Sequence, residues 1–179
     1  MSGRLIVFSG PACSGKTELG ARLAAELRAP HLQMDATRAR LMPDSAHTRA
    51  DRRVAYRAMH FASELLLDRG ATVILDAQYG HPEDREEVEQ IGARTRSELY
   101  LVECRVDPEP AARRFRERPA SHPGLDLTEE LVIEMARTFP YSGRGLTIDT
   151  GELSIGECER RIRKYLDSGR QIVSQAREE

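Results

Sequence analysis

Four short apolar runs, residues 5–8, 72–75, 99–106 and 146–148, are separated by stretches whose apolar residues recur every three or four positions. The short runs are rich in β-branched residues and read as strands, and the spaced stretches read as amphipathic helices. Strand and helix in alternation predict βαβ units and therefore a parallel sheet. A fifth, shorter strand is expected at 31–34, directly after Pro30. The first helix is predicted over about 15–28, where Leu19, Leu23 and Leu27 share a face, and a second over 51–69. The latter is expected to place Val54, Met59, Ala62, Leu65 and Leu66 near one side, with Gly70 ending it. Pro82 suits the first turn of a third helix running through Val88 and Ile91. Asp107-Pro108 opens a fourth that reaches Arg118, and a fifth begins at Thr128 and carries Leu131, Met135 and Phe139. Ser154 as N-cap with Glu157 three residues on marks the last, over 154–166. The polar tail from Ser168 is expected to fray or to extend that helix.

Composition narrows the class without changing this picture. A chain of 179 residues, 40% hydrophobic and 31% charged, suits a single soluble domain over 1–179. Its longest apolar stretches, such as 65–67, are too short to cross a bilayer. The first residues lead into a strand without the pattern of a secretory signal, so a cytoplasmic location is the expectation. Cys13, Cys104 and Cys158 are widely spaced with no paired motif, which predicts reduced thiols rather than disulfides or zinc. The five histidines show no metal-ligand spacing. A net charge of −2 argues against a broad surface for nucleic-acid backbone.

The most specific chemistry lies at residues 10–17, Gly-Pro-Ala-Cys-Ser-Gly-Lys-Thr, between the first predicted strand and helix. This is the G-x-x-x-x-G-K-T loop that cradles phosphates. Gly10 and Gly15 let the backbone curl, so that the segment Ala12, Cys13, Ser14, Gly15, Lys16, Thr17 and Glu18 meets a nucleotide's phosphates at the positive end of a helix. Lys16 is expected on the β- and γ-phosphates and the Thr17 hydroxyl on Mg²⁺, making ATP and Mg²⁺ the expected cofactors. The chain holds only two lysines, Lys16 and Lys164, against 25 arginines. Lysine is thus kept where a compact ammonium fits and a planar guanidinium does not. Cys13, among inward-facing amides, is expected to have a lowered pKa and to react with alkylating reagents more slowly when nucleotide is bound.

Three further constellations narrow what happens to the triphosphate. Asp35 and Arg38 follow the second predicted strand, on the sheet edge that carries the loop, where a carboxylate can take the proton of an attacking hydroxyl. Arg38, one turn on, is a candidate acceptor contact; the alternative is that Asp35 only caps a short helix and Arg38 is a solvated charge. The strand at 72–75 ends in Asp76, the form of a Walker-B-like acid for Mg²⁺ or else an acceptor contact, with Gln78 a further candidate acceptor contact. Residues 113–118, Arg-Arg-Phe-Arg-Glu-Arg, lead into a loop flanked by Pro119 and Pro123 and suggest an Arg-rich lid over about 113–127. Arg114 and Arg118 share a face, and such an arginine can stabilise charge on a transferring phosphoryl group. The segment 138–144, together with Ile148, Asp149 and Thr150, is expected to wall the adenine base.

Taken together these motifs resemble the small P-loop kinases that include the kinase domain of phage-type polynucleotide kinases, the chloramphenicol phosphotransferases and the zeta-toxin sugar-nucleotide kinases. The resemblance runs from Leu5 to about Leu166. It implies an α/β P-loop fold with a five-stranded parallel sheet flanked by helices. It further implies a general base at Asp35, an acceptor contact at Arg38, nucleotide and transition-state contacts at Arg114 and Arg118, and Mg·ATP at Lys16 and Thr17. The expected activity is transfer of the γ-phosphate to a hydroxyl of a small molecule such as a nucleoside, sugar derivative or antibiotic. Phosphorylation of a 5′-hydroxyl end of RNA or DNA is the alternative, and a regulatory ATPase without a small acceptor is a further one. A GTPase switch is disfavoured, because the sequence holds no Asn with which to write the usual guanine reader. No membrane partner is expected.

Overall fold

The structure, a computed structural model, describes residues 2–118 and 127–172. In chain order the elements are β1 (Arg4–Ser9), α1 (Lys16–Leu27), β2 (His31–Gln33), α2 (Met34–Leu41), α3 (Arg49–Leu67) and β3 (Thr72–Asp76). They continue with α4 (Pro82–Thr95), β4 (Glu98–Arg105), α5 (Pro108–Glu117), α6 (Glu129–Thr138), β5 (Leu146–Asp149) and α7 (Ile155–Asp167). The five strands form one sheet in the order β2-β3-β1-β4-β5. Every pairing is parallel, with Leu5 opposite Val73 on one side and Leu99 on the other.

Side-chain alternation on β1 divides the core. Leu5 and Val7 face a cluster with Met59 and Leu67 of α3 and Val88 and Ile91 of α4. Ile6 and Phe8 face the other side, against Leu19 and Leu23 of α1 and Cys158, Ile162 and Leu166 of α7. A strand buried on both faces must read as an apolar run rather than an alternating one, as residues 5–8 do. A third cluster packs Ala12 of the phosphate loop on Val106, Ala111 of α5 and Val132 of α6, tying that loop to the following helices.

Several boundaries differ from the sequence expectation. Met34 is the first residue of α2, not the end of β2, and α2 itself is a helix that the apolar spacing does not announce. Only Met34 and Arg38 of its eight residues are buried, so there is no apolar stripe to read. On α3 the buried positions are Ala55, Tyr56, Met59, His60, Ser63 and Leu67, while Val54 and Leu65 are exposed. The inward stripe runs through small and polar residues, which hydrophobic spacing underweights. The capping box at Ser154 and Glu157 is present, with Glu157 N donating to Ser154 Oγ and Ser154 N donating to Glu157 Oε2. Of the lid region, residues 113–117 belong to α5 and residues 119–126 lie outside the described residues, as do 173–179 of the polar tail. Among the described residues no helix is long and apolar enough to cross a membrane.

Candidate active site

Where β1 ends, the chain turns under β3 and β4 into the phosphate loop. Ser9 Oγ and Gly10 N both donate to the Gln78 carbonyl, at 2.8 and 3.1 Å, fixing the start of the turn to the end of β3. Gly10 has φ +152°, and a Cβ there would sit 2.5 Å from the Cys104 carbonyl oxygen, so no side chain fits. Gly15, the N-cap of α1, is left-handed at φ +78°. The first backbone bond of α1 runs from Leu19 N to Gly15 O. Among the described residues the amides of Gly15, Lys16, Thr17 and Glu18 donate to no backbone carbonyl, so they form the electropositive end of a helix. Lys16 Nζ arches back to the Pro11 carbonyl at 3.1 Å.

The carboxyl edge of the sheet brings the predicted residues together. One open cleft is lined by Ala12, Cys13, Gly15, Lys16, Thr17 and Glu18 on one side. Asp35, Asp76, Gln78, Arg114 and Arg118 complete it, along with Gln33, Met34, Ala77 and Leu127. Gly10 and Ser14 shape the loop from beneath and do not line the cleft. Arg38 does not line it either: it is buried, 3.6 Å from Asp35 Oδ1 through Nη2 and bonded to Ser45 Oγ through Nη1. It is therefore not a solvated charge but a strut that braces Asp35 against the α2–α3 loop. Asp35 is the second residue of α2, whose N-cap is Gln33, so its carboxylate is not spent as a cap.

Arg114 reaches across from α5 to the back of the phosphate loop. It donates to Cys13 O at 3.2 Å, to Thr150 Oγ1 at 2.9 Å and to the Thr150 carbonyl. Thr150 Oγ1 donates in turn to Ser14 O at 2.8 Å. The turn after β5, the loop and α5 are thus one hydrogen-bonded unit. Arg118, the C-cap residue just after α5, lies over the Phe115 ring at 4.1 Å with an extended backbone. These contacts correct the expectation for Cys13. Burial pushes its thiol pKa up, outweighing the opposing pull of Arg118, Lys16 and Arg114.

Sequence spacing gave no sign of the support behind Asp76. Its carboxylate is buried, and Oδ2 lies 3.5 Å from His31 Nε2 on β2. The Gln33 amide contacts His31 Nδ1 at 3.2 Å; with the amide donating there, Nε2 carries the proton and faces Asp76. Gly20 makes this possible, because a Cβ on it would come within 2.9 Å of His31 Nε2. Asp76 Oδ1 is buried with no hydrogen-bond partner among the described residues, a lone pair that suits a hard cation or its water.

The expected adenine wall is divided by the structure. Thr138, Phe139 and Pro140 line a second cavity, beside Arg49, Arg52, Arg53 and Tyr56 of α3, whereas Thr150 stands behind the phosphate loop. Met34 and Gln78 line both spaces, so the second cavity adjoins the phosphate cleft. Glu103, wholly buried on β4, holds the 139–145 loop by accepting from Ser142 N at 2.7 Å and Gly143 N at 2.9 Å. Arg85 Nη1 holds the far wall through the carbonyls of Tyr79 and Pro140.

Strand order, phosphate loop and acids at one sheet edge define a P-loop NTPase-type α/β protein. Residues 5–142 match a family described as an AAA domain, and the chain belongs to that family. No curated protein matches the sequence. Similar solved structures include a kinase candidate from Chloroflexus aurantiacus, with TM-score 0.77, 21% identity, and 92% of this chain and 99% of that one covered. APS kinase of Mycobacterium tuberculosis, solved with AMPPNP and APS, has TM-score 0.71 and 22% identity over 93% of this chain and 98% of that one. A gluconokinase from Sinorhizobium meliloti has TM-score 0.65 and 16% identity over 93% and 95%. At these identities the likeness establishes a P-loop kinase-like fold.

Proposed function

We propose that the protein is an ATP-dependent kinase that transfers the γ-phosphate of Mg·ATP to a hydroxyl of a small molecule. The observation that carries this reading is that Lys16, Thr17, Asp35, Asp76, Arg114 and Arg118 line one cleft that adjoins a second cavity. Loop amides and Lys16 would hold the β- and γ-phosphates. Thr17 Oγ and Asp76 would hold Mg²⁺, which when bound neutralises charge on the phosphates. Asp35, half-exposed in the cleft and braced by Arg38, would accept the proton of the attacking hydroxyl. Arg114 and Arg118 would stabilise negative charge on the transferring group and position the nucleotide.

Three supports bear on the finer reading. The APS kinase and gluconokinase neighbours carry names of small-molecule kinases, which favours an alcohol of that size here. The net charge of −2 weighs against a nucleic-acid end, despite the resemblance to polynucleotide kinase domains. A base placed on Asp35 fits a substrate hydroxyl better than water-driven hydrolysis, since the second cavity opens beside it.

The test is ADP release from Mg·ATP in the presence of nucleosides, sugars, antibiotics and a 5′-hydroxyl oligonucleotide, each compared with the water background. A small alcohol that raises ADP release and gains phosphate is the expected result. Turnover with the oligonucleotide alone would move the assignment to nucleic-acid ends. Hydrolysis that no acceptor stimulates would make the protein a regulatory ATPase.

A further inference from the structure

The second cavity has a charge pattern that the phosphotransfer machinery does not use. Arg49, Arg52 and Arg53 from the first turns of α3 stand on its wall. Arg49 and Arg52 are at i, i+3 and Arg49 and Arg53 at i, i+4, so like charges share one helix face and repel. The acid nearest in sequence does not offset Arg49 or Arg53: Asp51 Oδ2 is turned back to Thr48 N at 2.9 Å in the capping box. Among the described residues neither Arg49 nor Arg53 makes an ion pair. The acid that does line the cavity is Asp84, and among the described residues it makes no ion pair with Arg49 or Arg53. His81 lines the same wall and adds no negative charge. Guanidinium groups are planar forks suited to phosphate, sulfate or carboxylate.

We propose that this cavity receives the acceptor as a small anionic alcohol, a hydroxyl compound also bearing a phosphate, sulfate or carboxylate, with Arg49 and Arg53 on the anion and the hydroxyl toward Asp35. This rests on the kinase reading of the adjoining cleft. Met34 and Gln78, common to both spaces, mark the passage through which the hydroxyl meets the γ-phosphate. In the transfer the acceptor oxygen bonds to the γ-phosphorus and the bond from that phosphorus to the β,γ-bridging oxygen breaks. ADP leaves with that electron pair, and the hydroxyl proton passes to the Asp35 carboxylate.

The full chain is assayed with alcohols in matched sets: the neutral compound and its carboxylated, sulfated and phosphorylated forms, beside a 5′-hydroxyl oligonucleotide. An anionic member is expected to exceed its neutral partner in kcat/KM by about tenfold or more, the size of one charge-assisted bond. The double variant Arg49→Gln/Arg53→Gln is expected to raise KM for that member by about tenfold. Both side chains are exposed, so the variant folds, and Arg57→Gln, outside the cavity, serves as the control expected to change nothing. Preference for neutral alcohols, preference for the oligonucleotide, or an unaltered KM in the double variant overturns the proposal. If no member is phosphorylated, inorganic sulfate is titrated into the protein saturated with Mg·AMPPNP. Binding that the double variant loses upholds the proposal, and absent or unaltered binding overturns it. Failure to take up Mg·ATP at all would remove the kinase reading instead, so the two failures are told apart.

Discussion

Lys16 and Asp35 line the same cleft, yet substitution should separate them. Lys16→Ala removes the ammonium from the phosphate loop and is expected to abolish nucleotide-dependent activity together with tight ATP binding. Asp35→Ala should leave ATP affinity near that of the parent and lower kcat by about 10²–10⁴, the usual worth of a positioned base. Calorimetry with ATP and steady-state rates distinguish the two; equal losses of ATP affinity would remove the base assignment. His31 carries a different expectation, because it acts through Asp76 rather than on the nucleotide. His31→Ala is expected to raise the Mg²⁺ concentration needed for half-maximal rate by about tenfold, in line with the loss of a group orienting a metal ligand. His31→Gln, which can still present a donor, should recover part of it. A Mg²⁺ requirement identical in all three proteins would make His31 a packing residue only. Legibility also differs among residues. Lys16 and Thr17 could be placed from spacing alone, since the loop works through consecutive backbone amides. His31 could not, because its partner Asp76 is 45 positions away and meets it only across two paired strands.

At the level of elements, α5 is the clearest case of structure assigning a role that charge counting left open. An arginine run usually marks a solvated face, but Arg114 ties the phosphate loop to Thr150, and Arg118 stands at the helix end in the cleft. Arg118→Ala is expected to lower kcat by about tenfold to a thousandfold while changing KM for ATP little, as for loss of a group that acts on developing charge. An unchanged kcat would reduce Arg118 to a cap for Phe115. Arg114→Ala should behave otherwise, weakening nucleotide binding as well, since it would free the loop from the turn after β5. The sequence predicted α5 from Pro108 and the position of α7 from its capping box, because both signals are local backbone chemistry. It offered α2 only as the short helix of the alternative at Asp35, because just Met34 and Arg38 of its eight residues are buried and no apolar stripe marks it. It also misjudged the buried side of α3, where the inward positions include His60 and Ser63.

For the molecule as a whole, that buried stripe has a pH consequence. His60 sits between Tyr79, whose hydroxyl is 3.1 Å from Nε2, and Glu87 at 3.4 Å from Nδ1. Burial lowers the His60 pKa despite Glu87, Asp84 and Glu64. A lowered native pKa means that the unfolded chain takes up the proton first as pH falls. The His60 contribution to stability is therefore complete above about pH 6.5 and is lost on acidification toward the native pKa. Tm measured from pH 8 to 5 should fall less steeply below that point in His60→Gln than in the parent, and parallel curves would refute the link. The sequence by itself determined the alternation of strands and helices, the phosphate loop, the acid that follows β2 and the acid that ends β3, because these rest on short-range periodicity and backbone geometry. Only the tertiary structure decided that Arg38 braces Asp35, that Thr150 and Arg114 lock the loop, and that three arginines of α3 face a cavity beside the phosphate cleft. Those relations join positions far apart along the chain, and they exist once parallel strands bring their carboxyl ends to one edge.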